Sequence, residues 1–584
     1  MQLRPLQRFS RLLRLDKKDL VYLYLYSIFA GLIALTLPLG IQAIINMIAA
    51  GALNTSWGIL LAMVTIGTAL TGILTIMQIS ITETLQRRIF VRSSFEFAYR
   101  IPRLRVESLN GSYAPELVNR FFDTLTIQKG IPKLLIDSLT AVLQIFFGLI
   151  LLSFYHPFFV FFGLALVIIV LAILFITGRG GMKTSLKESK QKYAVAYWLE
   201  EIARAMNTFK LACPSGLALR KTDEKVQGYL SARKNHFRVL LVQYSSMVAF
   251  KTVITAALLI LGSLLVVQNQ INLGQFVAAE IVVLRILSSV EKLIFSFETV
   301  YDVLTGLEKI GGVMDIPLEQ DPPNADRSAI NGQGLDIEIK DLNYTYPKNV
   351  APSLRDLNVR IRPGEKVTVV GTKGSGKSTL LRILNGNLQE YSGAFNINGV
   401  PMINSSLDKY RDHIGVFTDQ EDIFRGSVYD NISLGDRSIT MENVVAGCQS
   451  LGIADYIEQL PNGYFTNLLP GGSNLPSNYV TKIILARAIA SKPSIILMED
   501  LLSGLTQGEH ERIINLLTAP EQPWSLFIIS NDREIANKTD RVILMRDGQI
   551  IHDLPQEEAR FLADFQSIVR PAESPASVFQ LSNQ

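Results

Sequence analysis

Long apolar stretches alternate with charged stretches over the first half of the chain. A helix needs about 20 apolar residues to cross the hydrocarbon core of a membrane. Six stretches have this length, near residues 20–48, 56–80, 134–155, 157–178, 246–267 and 274–297. Beyond about residue 300 the apolar runs are shorter and alternate as in a soluble α/β protein. The pattern predicts a multidomain membrane protein, in which an all-α part with six transmembrane helices precedes an α/β domain.

Positive charge is distributed unevenly over the connections between these stretches. The three short connections contain neither Lys nor Arg, whereas the two long ones, about 81–133 and 179–245, are rich in both. By the positive-inside rule, the long connections and both termini face the cytoplasm. Gly and Pro break each long connection midway, at 111–115 and 214–216. We therefore expect helices that continue the spans and present a short transverse helix to the domain below.

A few charged residues need a separate account. The first 19 residues place arginines among leucines, which suits either an amphipathic helix in the membrane interface or a basic flank that sets orientation. Lys251, Glu280 and Arg285 fall inside predicted spans. Because ionisable groups are costly in lipid, they should face the bundle interior or an aqueous cavity. There they either contact a substrate or partner subunit, or pair with one another, for example Glu280 with Lys251.

The composition agrees with a membrane protein. Of 584 residues, 48% are hydrophobic and 18% charged, and the formal net charge is +4. This small basic excess gives no reason to expect a nucleic acid partner. Cys213 and Cys448 lie far apart without metal-ligand spacing, so we expect unpaired thiols in a reducing compartment.

A glycine-rich loop follows the second predicted strand of the α/β domain. The strands are expected at 335–346 and 366–370, and the next eight residues match G-x-x-x-x-G-K-[ST]. In such a loop the glycines let backbone N–H groups converge on a phosphate, and the following helix adds its dipole. We expect ATP to bind here, with Lys377 reaching the β- and γ-phosphates and the Ser378 hydroxyl ligating Mg²⁺. The candidate cofactor-binding residues of the loop are Gly371, Thr372, Lys373, Gly374, Ser375, Gly376, Lys377, Ser378 and Thr379.

The order of spans, long cytoplasmic loops, linker and phosphate loop resembles the ATP-binding-cassette (ABC) exporter family. The resemblance covers nearly the whole chain and is that of a half-transporter, most similar to those of bacterial type I secretion and of peptide or bacteriocin export. It implies that Tyr346 stacks on adenine, where the alternative is a core aromatic at a strand end. It also places 485–488 after the family's signature sequence and 546–548 in the terminal strand-turn-strand.

Other motifs of the family are present by position but altered in residue. Where the family has Leu-Ser-Gly-Gly-Gln, residues 475–479 read Leu-Pro-Ser-Asn-Tyr. Pro476 removes a backbone donor, and without the two glycines the backbone cannot approach a phosphate closely. The two Walker B carboxylates are exchanged in length, as Glu499 and Asp500. Asp500 is one methylene too short to polarise the attacking water in the usual position.

Two further positions depart from the family. Asn531 replaces the histidine that follows the next strand, and the switch-loop glutamine falls on Asp419 or Gln420, depending on the alignment. The resemblance therefore implies Asp500, Asn531 and Gln420 as candidate catalytic residues. It implies Ser378, Gln420 and Glu499 as candidate Mg²⁺ ligands. We predict that ATP binding is retained, while hydrolysis is slow or absent.

The predicted function is that of an ATP-binding ABC exporter subunit. It would act in a dimer with a second half-transporter, identical or different, to export a peptide, protein or amphipathic small molecule across the cytoplasmic membrane. The alternative is a non-catalytic ATP-binding subunit that scaffolds or regulates a partner exporter or secretion complex. Membrane lipid and a periplasmic adaptor or outer-membrane channel are the further candidate partners. The expected location is the bacterial inner membrane, crossed several times.

The same reasoning predicts the domain limits. An interfacial segment is expected over 1–19, the six-helix transmembrane domain over 20–312, a linker over 313–334, the nucleotide-binding domain over 335–570 and a loosely ordered tail over 571–584.

Overall fold

The computed structural model describes residues 7–9, 14, 16–51, 55–109, 114–211, 216–319, 321, 330, 334–419, 422–499 and 504–569. The chain divides into two compact units. The helical unit comprises Met1–Arg103 and Ser112–Ile316, and the α/β unit comprises Leu104–Gly111 and Pro317–Gln584. Most of the predicted interfacial segment 1–19 and the whole tail 571–584 lie outside the described residues.

The helical unit consists of long apolar helices. Among the described residues, five are long and apolar enough to cross a membrane, and a shorter apolar helical stretch lies at Pro157–Ile173. Each of the six predicted spans coincides with a helical stretch, although the span 134–155 extends two residues past the helix end at Ser153. Between residues 16 and 316 the described helices are Lys17–Ile33, Thr36–Ala49, Thr55–Arg100, Ala114–Asn119, Asp123–Ser153, Pro157–Arg204, Met206–Leu211, Leu217–Val267 and Leu273–Met314.

Several helices continue beyond their apolar spans, as the sequence predicts. The helix Leu217–Val267 has 51 residues, and only its second half is apolar. A helix of that length is about 75 Å long, far more than the roughly 30 Å of a hydrocarbon core. It begins directly after Gly216, whose φ of 63° suits the break expected there.

The charged residues of the spans do not form the pair that was suggested from the sequence, Glu280 with Lys251. The Lys251 ammonium lies 3.1 Å from Oε2 of Glu291, so the pairing of Lys251 with Glu280 is wrong. Glu291 follows Glu280 by 11 residues, about three helical turns, so both lie on the same face about 16 Å apart. The sequence alone does not give the relative depth of the two helices. Arg285 donates to the carbonyl oxygen of Ala34 at 2.7 Å.

The α/β unit is organised around three sheets. The described strands are β1 Ile337–Tyr344, β2 Leu354–Ile361, β3 Lys366–Gly371, β4 Ser392–Ile397, β5 Val400–Pro401, β6 Ile414–Phe417, β7 Gly426–Ser427, β8 Asn467–Leu468, β9 Ile495–Glu499, β10 Ser525–Ile529, β11 Arg541–Arg546 and β12 Gln549–Pro555. The sheets have the orders β2-β1-β4-β5, β12-β11-β3-β10-β9-β6 and β7-β8. In the six-stranded sheet, β3 lies between β10 and β11 and is parallel to both.

Helices flank this sheet. Within the described part of the unit they are Lys377–Leu384, Leu407–Arg411, Val428–Ser433, Met441–Ser450, Ala454–Glu458, Ser477–Ala490, Gln507–Thr518, Arg533–Lys538, Gln556–Ala559 and Ala563–Ile568. Aliphatic and aromatic side chains fill two large apolar cores. Cys448 is a buried free thiol in one of them, and burial raises its pKa to about 12. Cys213, for which an unpaired thiol was also predicted, lies outside the described residues.

The predicted strand 335–346 is β1, which is shorter, and the predicted strand 366–370 is β3, which is one residue longer. The strand β2 between them and the short strands β4 to β8 were not predicted. Part of the predicted linker 313–334 is ordered, because the last helix of the helical unit runs to Met314 and the carboxylate of Glu319 accepts two hydrogen bonds from Arg411, the shorter 2.6 Å long. Much of 320–333 lies outside the described residues. The domain limits themselves remain predictions.

A short piece of the first long connection packs within the α/β unit. Val106–Leu109 forms one 3-10 turn, where the sequence predicted a transverse helix. Oε1 of the buried Glu107 accepts the backbone N–H groups of Gln389 and Glu390, at 2.7 and 2.9 Å. The turn is therefore fixed by a carboxylate that caps two backbone donors.

Candidate nucleotide-binding site

The glycine-rich loop joins the buried strand β3 to the helix Lys377–Leu384. Gly374 and Gly376 have φ angles of 82° and 96°, which L side chains rarely adopt. A Cβ on Gly376 would also lie 2.9 Å from the carbonyl oxygen of Ser353. The chain can turn this tightly into the helix only with glycine at these positions, which leaves the first N–H groups of the helix exposed to a ligand.

A cavity of about 620 Å³ opens over this loop. It brings together seven of the predicted cofactor-binding residues with residues that the sequence did not single out. The lining consists of Lys373, Gly374, Ser375, Gly376, Lys377, Ser378 and Thr379, together with Asn349, Ala351, Pro352, Ser353, Arg355, Asp547 and Gly548. The additional residues come from the β1–β2 connection, the start of β2 and the β11–β12 turn, all distant from the loop along the chain.

The Lys377 side chain folds over the loop. Its ammonium donates to the carbonyl oxygens of Gly371 and Thr372, at 2.9 and 2.8 Å, and to Oγ of Ser375 at 3.2 Å. Burial lowers the pKa of Lys377, and the nearby Glu499 carboxylate partly opposes this shift. A cation held in this position can contact a polyphosphate bound to the loop.

Tyr346 stands just after β1, beside the helix that follows the loop. Its hydroxyl lies 3.3 Å from Oγ1 of Thr379, and its ring meets that of Tyr344 edge to face at 5.0 Å. Tyr346 is half-buried and packs on the apolar core. The position suits both alternatives, since one edge of the ring is packed while the hydroxyl points to the phosphate-loop helix.

Asn531 contacts the loop itself. Its Oδ1 accepts the N–H of Gly371 at 3.0 Å, and its Nδ2 donates to the carbonyl oxygen of the same residue at 3.0 Å. The sequence placed Asn531 near a phosphate as a replacement for histidine. The structure shows it bonded to the peptide backbone at the start of the phosphate loop.

The remaining carboxylate and switch-loop positions are only partly described. Glu499 ends β9 and faces the loop closely enough to influence the pKa of Lys377. Asp419 is exposed just after β6. The predicted residues Asp500 and Gln420 lie outside the described residues.

The donor set at the loop fits Mg²⁺. Among the described residues, no group of three or more His, Cys, Asp or Glu side chains could hold a metal ion. Mg²⁺ does not need such a group, because it usually takes one or two protein ligands together with phosphate oxygens and waters. The Ser378 hydroxyl lines the cavity and is an oxygen donor of this kind, and the Glu499 carboxylate would be a second.

The residues at the position of the family's signature pack against distant parts of the chain. Pro476 precedes the helix Ser477–Ala490, and the Tyr479 ring stacks on Tyr456 with ring centres 3.7 Å apart. Farther along, the buried ammonium of Lys482 pairs with Glu509. This ion pair lowers the pKa of Glu509 to about 2. Sequence reasoning missed both contacts, since their partners lie 23 and 27 residues away along the chain.

Comparison with known proteins decides the family. The model described as the ABC transporter transmembrane region matches residues 20–287, and the model described as the ABC transporter matches residues 354–502. The chain belongs to the ABC transporter family. It joins a transmembrane region and an ATP-binding cassette in one polypeptide, as the sequence predicted.

Curated relatives and a solved structure support this assignment. The alpha-hemolysin translocation ATP-binding protein HlyB of Escherichia coli O157:H7 is 26% identical over 434 residues, covering 72% of this chain and 60% of that protein. The exotoxin translocation ATP-binding protein PaxB of Pasteurella aerogenes is 27% identical over 358 residues, covering 61% and 49%. The chain thus spans about half the length of such relatives.

The fold is also that of a known exporter structure. A bacterial Atm1-family ABC exporter with ATP bound superposes with a TM-score of 0.82 at 17% identity, covering 93% of this chain and 96% of that one. The predicted fold class, a helical ABC exporter transmembrane domain with an α/β cassette, is confirmed.

Proposed function

We propose that this ABC transporter chain is one half of a dimeric exporter. It uses ATP to move a peptide, protein or amphipathic small molecule outward across the bacterial cytoplasmic membrane, with both termini in the cytoplasm. The observation that carries the proposal is a phosphate-loop cavity in the same chain as a helical unit whose described residues include five helices long and apolar enough to cross a membrane and one shorter apolar stretch. The similarity to toxin translocation ATP-binding proteins supports export over import.

We propose a role for each of the site residues. Lys377 neutralises the terminal phosphates, the backbone N–H groups from Gly374 onward bind phosphate oxygens, and Tyr346 packs on the adenine. Ser378 and Glu499 ligate Mg²⁺, whose charge balances that of the phosphates. Each of these residues belongs to one subunit, so this half of the site needs no partner for nucleotide binding.

Hydrolysis is expected to be slow. Glu499 precedes the shorter Asp500, and Pro476 removes a backbone donor from the element that meets the partner's nucleotide in this family. In addition, the aromatic ring of Tyr479 lies at the signature position and stacks on the ring of Tyr456. These features favour a second candidate function, an ATP-binding subunit that regulates or scaffolds a catalytically active partner.

The proposed partners are a second half-transporter, membrane lipid and, by analogy with the toxin translocation relatives, a periplasmic adaptor or outer-membrane channel. An identical partner would make both composite sites deficient. In a mixed dimer, the partner's intact signature would lie opposite Glu499 and Asp500 of this chain. That composite site would be less impaired than either site of a homodimer.

Steady-state ATP turnover by the purified full-length chain in lipid separates the two functions. Turnover that disappears in Lys377→Ala supports an autonomous exporter. ATP binding without turnover, and turnover on addition of a partner cassette chain, support the regulatory subunit. Turnover that persists unchanged in Lys377→Ala contradicts both.

A further inference from the structure

The contact between Asn531 and Gly371 is a paired one. The Asn531 amide offers an acceptor and a donor side by side, and both are met by the N–H and C=O of one residue at 3.0 Å. This pairing also fixes the orientation of the amide, because the reverse assignment would place two donors and two acceptors in contact. The Asn531 side chain thus forms the kind of hydrogen-bond pair that the backbone of a neighbouring strand would form.

The order of strands explains why the side chain fits there. Strand β10 runs parallel to β3, and their backbone pairing ends with Ile529 beside Val369. The next N–H, of Ser530, donates to the carbonyl oxygen of Val369 at 3.2 Å. Alternate residues of a strand present their backbone groups to the same neighbour, so Gly371 is the next residue of β3 that faces β10. Asn531 supplies the partner that the backbone of β10 no longer provides.

Gly371 is enclosed on its other sides as well. It pairs with Met545 of β11 across the sheet, and a Cβ on Gly371 would lie 2.8 Å from Oγ of Ser375. Its carbonyl oxygen also accepts the Lys377 ammonium. Gly371 therefore contacts β11, Lys377 and Asn531. Of these three, Asn531 is the one whose neutral side chain bonds to both the N–H and the C=O of Gly371.

We propose that Asn531 is a positioning residue that fixes the first residue of the phosphate loop through Gly371, and that it does not sense the terminal phosphate of a nucleotide. The inference rests on the proposed ATP site. It implies that removing the amide weakens binding of nucleoside diphosphates and triphosphates by the same factor. A residue that contacts the γ-phosphate would instead affect triphosphates alone.

The experiment measures the affinity of the full-length chain in lipid nanodiscs for ADP and for the non-hydrolysable analogue AMP-PNP. Asn531→Ala removes both hydrogen bonds, so both dissociation constants should rise by a similar factor of about three- to tenfold. Asn531→His is expected to weaken ADP binding similarly, because the two ring nitrogens point apart and cannot span one residue. The matched control is Asn537→Ala, whose side chain accepts an exposed hydrogen bond from Gln556 at 3.2 Å.

A second readout needs no nucleotide. Hydrogen exchange of the peptide that contains Gly371 should accelerate in Asn531→Ala but not in Asn537→Ala, because Oδ1 of Asn531 accepts the Gly371 N–H. Weaker AMP-PNP binding with unchanged ADP binding and unchanged exchange would overturn the inference. If wild-type chain binds neither nucleotide, the proposed function fails. The exchange measurement then still decides whether Asn531 holds Gly371.

Discussion

The ammonium of Lys482 pairs with the carboxylate of Glu509, and so joins the helix after the signature register to the helix that follows Walker B. Lys482 is buried, with 3% of its surface exposed. Glu509 also caps its own helix by accepting the N–H of Thr506 at 3.0 Å. The pair therefore couples two elements that surround the family's catalytic loops, and its strength depends on the charge of Glu509.

This coupling predicts a pH-dependent stability. The pKa of Glu509 in the fold, about 2, lies below its ordinary value of 4.5. The ion pair therefore stabilises the fold above pH 4.5, and this contribution is lost as the pH falls from 4.5 through 2. Glu509→Gln should lower the free energy of unfolding at pH 7 by about 1–3 kcal/mol, since Lys482 would remain buried without its counter-ion.

The measurement is calorimetric unfolding of the full-length chain in detergent from pH 7 to pH 3. The variant should show a lower midpoint at pH 7 and a flatter acid limb than wild type. Glu534→Gln is the control, since Glu534 pairs with Lys538 within one short helix and should contribute less than about 0.5 kcal/mol. Equal effects of the two substitutions would contradict the role given to Lys482.

The phosphate-loop turn predicts a strict requirement at Gly376. Gly376→Ala would place a side chain in a left-handed conformation and against the carbonyl oxygen of Ser353, so ATP affinity should fall by at least about tenfold. Gly508→Ala is the matched control, because its Cβ would meet nothing within 4 Å and it lies in a helix. Equilibrium binding of a fluorescent ATP analogue tests both. Retained affinity in Gly376→Ala would mean that the nucleotide binds elsewhere.

Tyr346 allows its two interpretations to be separated. If the ring stacks on adenine, Tyr346→Ala should weaken ATP binding by about tenfold or more, and Tyr346→Phe much less, because base stacking on an aromatic ring contributes about 1–3 kcal/mol. If the ring is only a core aromatic, Tyr346→Ala lowers the unfolding midpoint and leaves the affinity of the remaining folded chain unchanged. Binding and calorimetry on the same three proteins distinguish these outcomes.

Much of the fold follows from the sequence because its signals are local. A membrane span is a run of apolar residues, and a phosphate loop is eight residues of fixed pattern, so both are visible without knowing any long-range contact. The cavity over the loop is less local. Arg355 and Asp547 reach it from β2 and from the β11–β12 turn, so the cavity forms only when distant segments of the chain come together.

The contacts that the sequence did not predict share one physical origin. Asn531 meets Gly371 because β10 lies beside β3, and Lys251 meets Glu291 because of the relative depth of two helices. Both depend on alignment between distant segments. Periodicity gives the face of an element but neither its neighbour nor its register.

The central claim is that the loop from Gly371 to Ser378 binds ATP in a chain that crosses the membrane. Equilibrium binding of ATP to the full-length chain in lipid nanodiscs tests it most directly, with Lys377→Ala as the comparison. The account predicts saturable, Mg²⁺-dependent binding to wild type that is lost or strongly weakened in the variant. Absence of binding to wild type, or equal binding to both proteins, would contradict it.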